Sequence, residues 1–252
     1  MQILPGIFKF DTGPFNWYVL EEAGRITLID AGFPGHHSIF IAGLKEIGKA
    51  IEDVDAIILT HAHADHTGFA ERLRRESNAT VYIHRDDKAG VMRPLNLPWY
   101  GLLSNAWRTY TRSMLLHATW NGVFRLPSVS EVTVFEHGDI LEVPGRPQVL
   151  HVPGHTPGEV CFFLPERQVA FCGDTLVTRD LFTGVEGGPQ VPHRLLNTSD
   201  RQARNSLDKL KELGHVTILP GHGKPWTGEI AEAVEIARND FSNRGKVQTR
   251  TT

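Results

Sequence analysis

An excess of either charge is missing from this chain. Its 252 residues carry 26 basic and 29 acidic side chains, a formal net charge of −3, without the cationic stripe that gripping a phosphate backbone requires. Nucleic acid is therefore not expected as a partner. Long apolar runs are missing too, since none approaches the roughly 20 residues of a membrane-spanning helix. The segment Met1 to Gly6 has neither the basic stretch nor the apolar centre of a leader. A soluble, cytoplasmic protein without membrane contact is expected. Cysteine is scarce: Cys161 and Cys172 each sit inside an apolar run and are expected to pack as small hydrophobes, unpaired, as in a reducing compartment. The length suffices for one domain over residues 1–252 to bury its own core without oligomerising.

What is present is an interleaving of strands and helices. Alternation and turn signals predict strands at Ile7 to Phe10, Trp17 to Glu21 and Ile26 to Asp30, a helix from His37 to Ile47, and a strand from Ala56 to Thr60. A helix over Thr67 to Ser77 and a strand over Thr80 to His84 complete this first half. The second half reads as strands at Val132 to Phe135, Gln148 to Val152, Glu159 to Leu164 and Gln168 to Cys172. It continues with a helix from Asp200 to Leu213, a strand from Val216 to Leu219 and a helix from Gly228 to Asn239. Two β-sheets packed face to face with helices outside would satisfy this pattern.

Between 85 and 130 the character changes to tryptophan, tyrosine and methionine. Trp99, Leu103, Trp107, Tyr110 and Met114 recur at three-to-four-residue steps, which predicts at least one helix in an inserted segment. That segment is expected to pack on the core or a second subunit, making a homodimer, or to cover a site as a lid.

The densest chemistry lies in His61-Ala62-His63-Ala64-Asp65-His66, four potential metal ligands in six residues directly after an apolar strand. His61 and His63 can turn toward one ion, while Asp65 and His66 point to a neighbouring position. Three further ligands stand in glycine-rich turns after apolar strands: His155 in Pro153-Gly154-His155-Thr156-Pro157-Gly158, Asp174 in Gly173-Asp174-Thr175, and His222 in Pro220-Gly221-His222-Gly223. Together the seven suffice for two divalent ions with Asp174 between them. Zinc is expected, with iron or manganese as alternatives. Asp30 is expected to fix a turn or orient a ligand histidine rather than to coordinate. Most of the remaining histidines are expected at the surface or at caps, with His193 a further candidate to reach the site.

These motifs resemble those of the metallo-β-lactamase superfamily. The run from His61 to His66 matches its HxHxDH signature, the three later turns follow in the family's order, and Asp30-Ala31-Gly32 looks like its early Asp turn. The resemblance implies an α/β (α+β) fold, a four-layer αβ/βα sandwich. It places His61, His63 and His155 on a first metal and Asp65, His66 and His222 on a second. Asp174, where several β-lactamases have cysteine, is as in relatives of glyoxalase II and the lactonases.

A metal pair makes hydroxide available near neutral pH, and a bridging hydroxide attacking an ester, thioester or lactone of a small molecule is the expected reaction. Asp65 is the candidate catalytic group, orienting the nucleophile or passing a proton. The aromatic insertion suggests a substrate with an apolar group, with Trp107 or Trp120 contacting it. A single-iron sulfur dioxygenase is the alternative, with a nuclease or an inert metal-binding protein less favoured.

Overall fold

The structure is a computed structural model that describes residues 1–93 and 99–247. Its larger sheet has seven strands in sequential order: β1 (Gln2–Leu4), β2 (Ile7–Asp11), β3 (Asn16–Glu22), β4 (Arg25–Ile29), β5 (Val54–Ile58), β6 (Thr80–His84) and β7 (Thr133–Phe135). The first four pair antiparallel, and β4 to β7 pair parallel. The second sheet is built from β8 (Gln148–His151), β9 (Val160–Leu164), β10 (Val169–Gly173), β13 (His215–Pro220) and β14 (Trp226–Glu229), in the order β14-β13-β10-β9-β8. A short hairpin of β11 (Val177–Arg179) and β12 (Glu186–Gln190) stands apart.

Both sheets are covered on both faces, and the period of two along each strand sorts side chains between layers. Tyr18, Leu20, Ala56 and Ile58 meet Phe162, Leu164, Val169 and Phe171 between the sheets. Their neighbours Trp17, Val19, Ile57 and Leu59 turn the other way, onto α1 (His37–Glu46) and α3 (Ala70–Ser77) through Phe40, Leu44 and Leu73. On the far side Cys161, Cys172 and Ile218 pack against α7 (Asp200–Ser206) and α8 (Ile230–Val247). Both thiols are free and buried. The layers run helix, sheet, sheet, helix, as expected.

Several elements differ from the reading of the sequence. The helix expected over Thr67 to Ser77 is two, α2 (Ala64–Thr67) and α3, because the N–H groups of Gly68 and Phe69 donate to the Gly32 and Ala31 carbonyls at 2.7 and 3.0 Å rather than to the preceding turn. Past Ser206 the chain tightens into a 3₁₀ turn, Leu207–Leu213, and β14 occupies the start of the expected final helix. Strands β1, β11 and β12 were not anticipated.

The insertion holds α4 (Lys88–Met92), α5 (Trp99–Ser104) and α6 (Thr109–Trp120). The stripe from Trp99 to Met114 is not one buried face: Leu103 and Trp107 are exposed, Met114 is buried, and the side chain of Trp99 lies outside the described residues. Leu102, Met114, Ala118 and Val123 point inward instead, onto Phe15, Phe33 and Phe182.

The insertion returns to the sandwich through Glu71 of α3. Its carboxylate accepts from Arg74 Nε at 3.0 Å and Arg75 Nε at 2.6 Å, and from the Ser130 N–H and Oγ at 3.1 and 2.9 Å. Burial opposes the charge, but these four donors hold Glu71 down to about 2, below its ordinary 4.5. Glu71→Gln is expected to cost about 1–3 kcal/mol at neutral pH. The depressed carboxylate stabilises the fold above pH 4.5 and loses that contribution as pH falls toward about 2. Urea unfolding of both proteins across that window should show the gap closing; a constant gap contradicts the assignment.

Candidate metal centre

All seven expected ligands gather at one edge of the sandwich, where strands of both sheets end. His61 and His63 stand in the loop after β5, Asp65 and His66 on α2 that follows it, His155 follows β8, Asp174 follows β10 and His222 follows β13. Parallel pairing of β10 with β13 sets Gly173 beside Pro220, which brings Asp174 next to His222. The two sheets are tied together here: the Val160 N–H donates to the Thr60 carbonyl at 3.0 Å, and Tyr18 Oη to the Pro220 carbonyl at 2.7 Å.

The donors fall into two groups. His63 Nδ1 lies 3.1 Å from His61 Nε2 and 2.8 Å from His155 Nε2. Asp65 Oδ2 lies 3.6 Å from His66 Nε2 and 3.4 Å from His222 Nε2. Asp174 stands between the groups, with Oδ2 3.3 Å from His155 Nε2 and 3.2 Å from His222 Nε2, and Oδ1 3.7 Å from His66 Nε2.

What stands behind each imidazole decides which nitrogen carries its proton. His66 Nδ1 faces Asp30 Oδ2 at 2.8 Å, His155 Nδ1 faces Asn197 Oδ1 at 3.0 Å, and His222 Nδ1 faces the Pro14 carbonyl at 2.7 Å. Each partner is an acceptor, so each Nδ1 is the donor and each Nε2 is the atom turned inward. His61 Nδ1 has Thr60 Oγ1 as its acceptor at 3.1 Å, and the buried Glu159 Oε2 lies 3.2 Å away. The inward nitrogens crowd one another and the Asp65 and Asp174 oxygens. His66 Nε2, His222 Nε2 and Asp174 Oδ1 are buried with no hydrogen-bond partner, a costly arrangement unless cations fill it. Gly221 keeps the cradle open: a Cβ there would lie 2.5 Å from Asp174 Oδ1. The donor set fits two divalent ions.

Electrostatics agree with that division. Burial, reinforced by neighbouring imidazoles, pushes His61 and His63 well below their ordinary value, and burial also lowers His155. These three are neutral, the form that binds metal. His66 is pulled down by burial, yet Asp30, Asp65 and Asp174 push it up to about 10. Burial likewise opposes the charge of His222, which Asp174 and Asp65 raise. The excess of carboxylate around His66 and His222 marks the position as one for positive charge.

Two buried carboxylates were missed from the sequence. Glu159 accepts the Asp174 N–H at 2.9 Å beside His61. Asp87 accepts the Ala62 N–H at 2.9 Å, Thr156 Oγ1 at 2.7 Å and the Gly158 N–H at 2.8 Å, clasping the two histidine loops to each other. Of the other histidines, His84 caps a turn by accepting the Asp86 N–H at 3.2 Å, whereas His36 and His37 are buried, against expectation. His193 does not join the site: it caps a short turn by accepting the Leu195 N–H, against Phe182. His84, Asp86 and His151 also come close, but the two rings stack at 4.0 Å and their in-plane lone pairs do not converge.

An apolar chamber opens over the donors. Phe15, Phe33, Leu102, Met114, Leu115, Ala118, Val123, Leu181 and Leu196 wall it, and His63, Asp65, His155 and Asp174 form its polar floor. Trp107 and Trp120 take no part in the lining, contrary to expectation: both are exposed. Smaller side chains on the inner face of α6 hold those positions.

Residues 11–222 match the family model described as the metallo-beta-lactamase superfamily. The chain is 28% identical over 210 residues to hydroxyacylglutathione hydrolase GloC of Haemophilus influenzae, covering 81% of this chain and 83% of that protein. It is 27% identical over 244 residues to the human acyl-coenzyme A thioesterase MBLAC2, covering 91% and 80%. Among solved structures, a metallo-beta-lactamase family protein from Thermus thermophilus superposes with a TM-score of 0.73 at 25% identity, covering 98% of this chain and 82% of that one. Another, crystallised in a di-iron-bound form, superposes with a TM-score of 0.59 at 27% identity, covering 87% and 93%.

Removing the acceptor behind His66 should be felt at the donors in front of it. Asp30→Ala is expected to weaken cobalt(II) binding by about 10–100-fold, read by competition with a chromophoric chelator. Unchanged affinity would show that Asp30 only shapes its turn.

Proposed function

Because the chain belongs to the metallo-beta-lactamase superfamily, we propose that it is a metal-dependent hydrolase with a dinuclear centre, cleaving an ester or thioester whose acyl group is apolar. The observation that carries this reading is the paired donor set around Asp174 directly beneath the apolar chamber. His61, His63 and His155 would hold one ion and Asp65, His66 and His222 the other, with Asp174 standing between the two groups. Two divalent ions there would supply an acidified water and polarise an acyl carbonyl.

The chain's own groups do the rest. Asp65 lines the chamber and is half-buried, placed to orient the attacking water and to pass its proton to the leaving group. Asp30 and Thr60 accept from His66 and His61 and so turn the Nε2 atoms of both rings inward. Among the described residues the chamber offers aliphatic and phenyl surface and no Lys or Arg, so it suits the acyl portion of a substrate rather than an anionic leaving group. The names of the hydrolase and thioesterase relatives support a thioester, and a lactone with an apolar tail would fit the same walls. Zinc is the proposed metal; the relative in a di-iron-bound form makes iron the alternative.

Ala118 sits on the inner face of α6, and enlarging it narrows the chamber. Ala118→Leu is expected to lower kcat/KM for octanoyl thioesters by about tenfold while leaving acetyl thioesters near the wild-type value. Equal losses on both would contradict an acyl chamber. Asp65→Asn should lower kcat by about 10²–10⁴-fold with a much smaller change in KM, measured under saturating metal; wild-type turnover would remove Asp65 from the proposed role.

A further inference from the structure

The outward faces of α5 and α6 carry a concentration of exposed apolar side chains. Tyr100, Leu103, Trp107, Leu116 and Trp120 all face solvent, Trp120 with 92% and Trp107 with 70% of its surface open. On α6 the buried side is Thr111, Met114 and Ala118, and Arg112, Leu116 and Trp120 fall on the opposite side of a 3.6-residue period. The Arg108 guanidinium lies over the Trp107 ring, 4.5 Å from its centroid. Arg112 donates to the Trp107 carbonyl at 2.9 Å. Aromatic rings and basic heads therefore share this surface, and an exposed apolar group of this kind marks an interaction site.

Charge narrows the partner. Residues 88–130 contain Lys88, Arg93, Arg108, Arg112 and Arg125 and no Asp or Glu, so all 29 acidic residues of the chain lie elsewhere. The near-neutral total hides this segregation. A second copy docking through the same face about a two-fold axis would set arginines against arginines. Tryptophan and tyrosine flanked by arginine suit instead the headgroup region of a bilayer, where rings sit at the apolar boundary and guanidinium groups meet lipid phosphates. We infer that the outer face of α5 and α6 docks on an anionic bilayer surface. The expectation of no membrane contact rested on the lack of a spanning run, and surface docking requires none.

The inner side of the same helices walls the chamber, and Thr119 and Phe124 are both exposed and part of its lining. The docking face thus borders the chamber. Resting on the hydrolase reading above, this narrows the substrate to acyl esters or thioesters that partition into a bilayer.

Flotation of the full chain with phosphatidylcholine vesicles, with and without phosphatidylglycerol, tests the docking without turnover or metal. Binding to the anionic vesicles and little to the neutral ones is expected. Replacing both tryptophans, Trp107→Ser with Trp120→Ser, should weaken it by about tenfold. Arg112→Ala should weaken it by about fivefold. Circular dichroism and hydrolysis of a soluble acetyl ester should stay unchanged in all variants. Absence of binding to anionic vesicles overturns the proposal, as does binding that neither variant moves. A dimer in sedimentation that the tryptophan variant dissociates would assign the face to a second copy and overturn it too. Vesicle binding by a chain that hydrolyses no ester or thioester would support the docking while removing the hydrolase reading.

Discussion

The buried carboxylate of Asp30 is the constraint on which the centre depends. It is held in a left-handed backbone conformation, φ 63°, and it accepts the Thr60 N–H at 2.8 Å, the Thr60 hydroxyl at 2.9 Å and His66 Nδ1 at 2.8 Å. Because the Thr60 hydroxyl proton is directed at Asp30, its oxygen is left to accept from His61 Nδ1. One carboxylate thereby orients a histidine of each donor group. An unpaired carboxylate in that position would cost several kcal/mol, so the turn, the loop and the two rings are specified together.

Two further buried acidic groups, Glu159 ahead of β9 in the second sheet and Asp87 after β6 in the first, support the same layer. Glu159 joins the backbone of Asp174 to the far side of His61, and Asp87 clasps the loops that carry His63 and His155. Ligands that come from separate strand ends are thus held by a continuous polar layer beneath them, while the apolar insertion closes above. The site is hydrogen-bonded below and walled by apolar side chains above, so under the proposed reading residues 88–130 would select the acyl group over a common metal chemistry.

The ligands were legible because their chemistry is local. Four donors within six residues, and His155, Asp174 and His222 each in a glycine-rich turn after an apolar strand, announce themselves without knowledge of the fold. The two-sheet sandwich was legible for a similar reason, since its strands are apolar on both faces. Glu159 and Asp87 were not legible: each matters through partners on other loops, and Arg85-Asp86-Asp87 reads as a solvated turn. The tryptophan stripe misled because periodicity reveals that a helix has faces but not which one turns inward. Here Met114 and Ala118 face the chamber, and Trp120 faces out. Strands β11, β12 and β14 are short and rich in polar residues and glycine, so alternation leaves little mark on them.

The central claim is that this donor set holds a pair of metal ions. Elemental analysis of the full chain, purified without added metal and again after reconstitution with zinc, addresses it directly. Close to two divalent ions per chain are expected, falling to about one when His222 is replaced by alanine, because Asp65 and His66 alone leave the second group one donor short. A single iron per chain that does not rise on reconstitution would contradict the dinuclear centre and bring a sulfur-oxidising activity to the front.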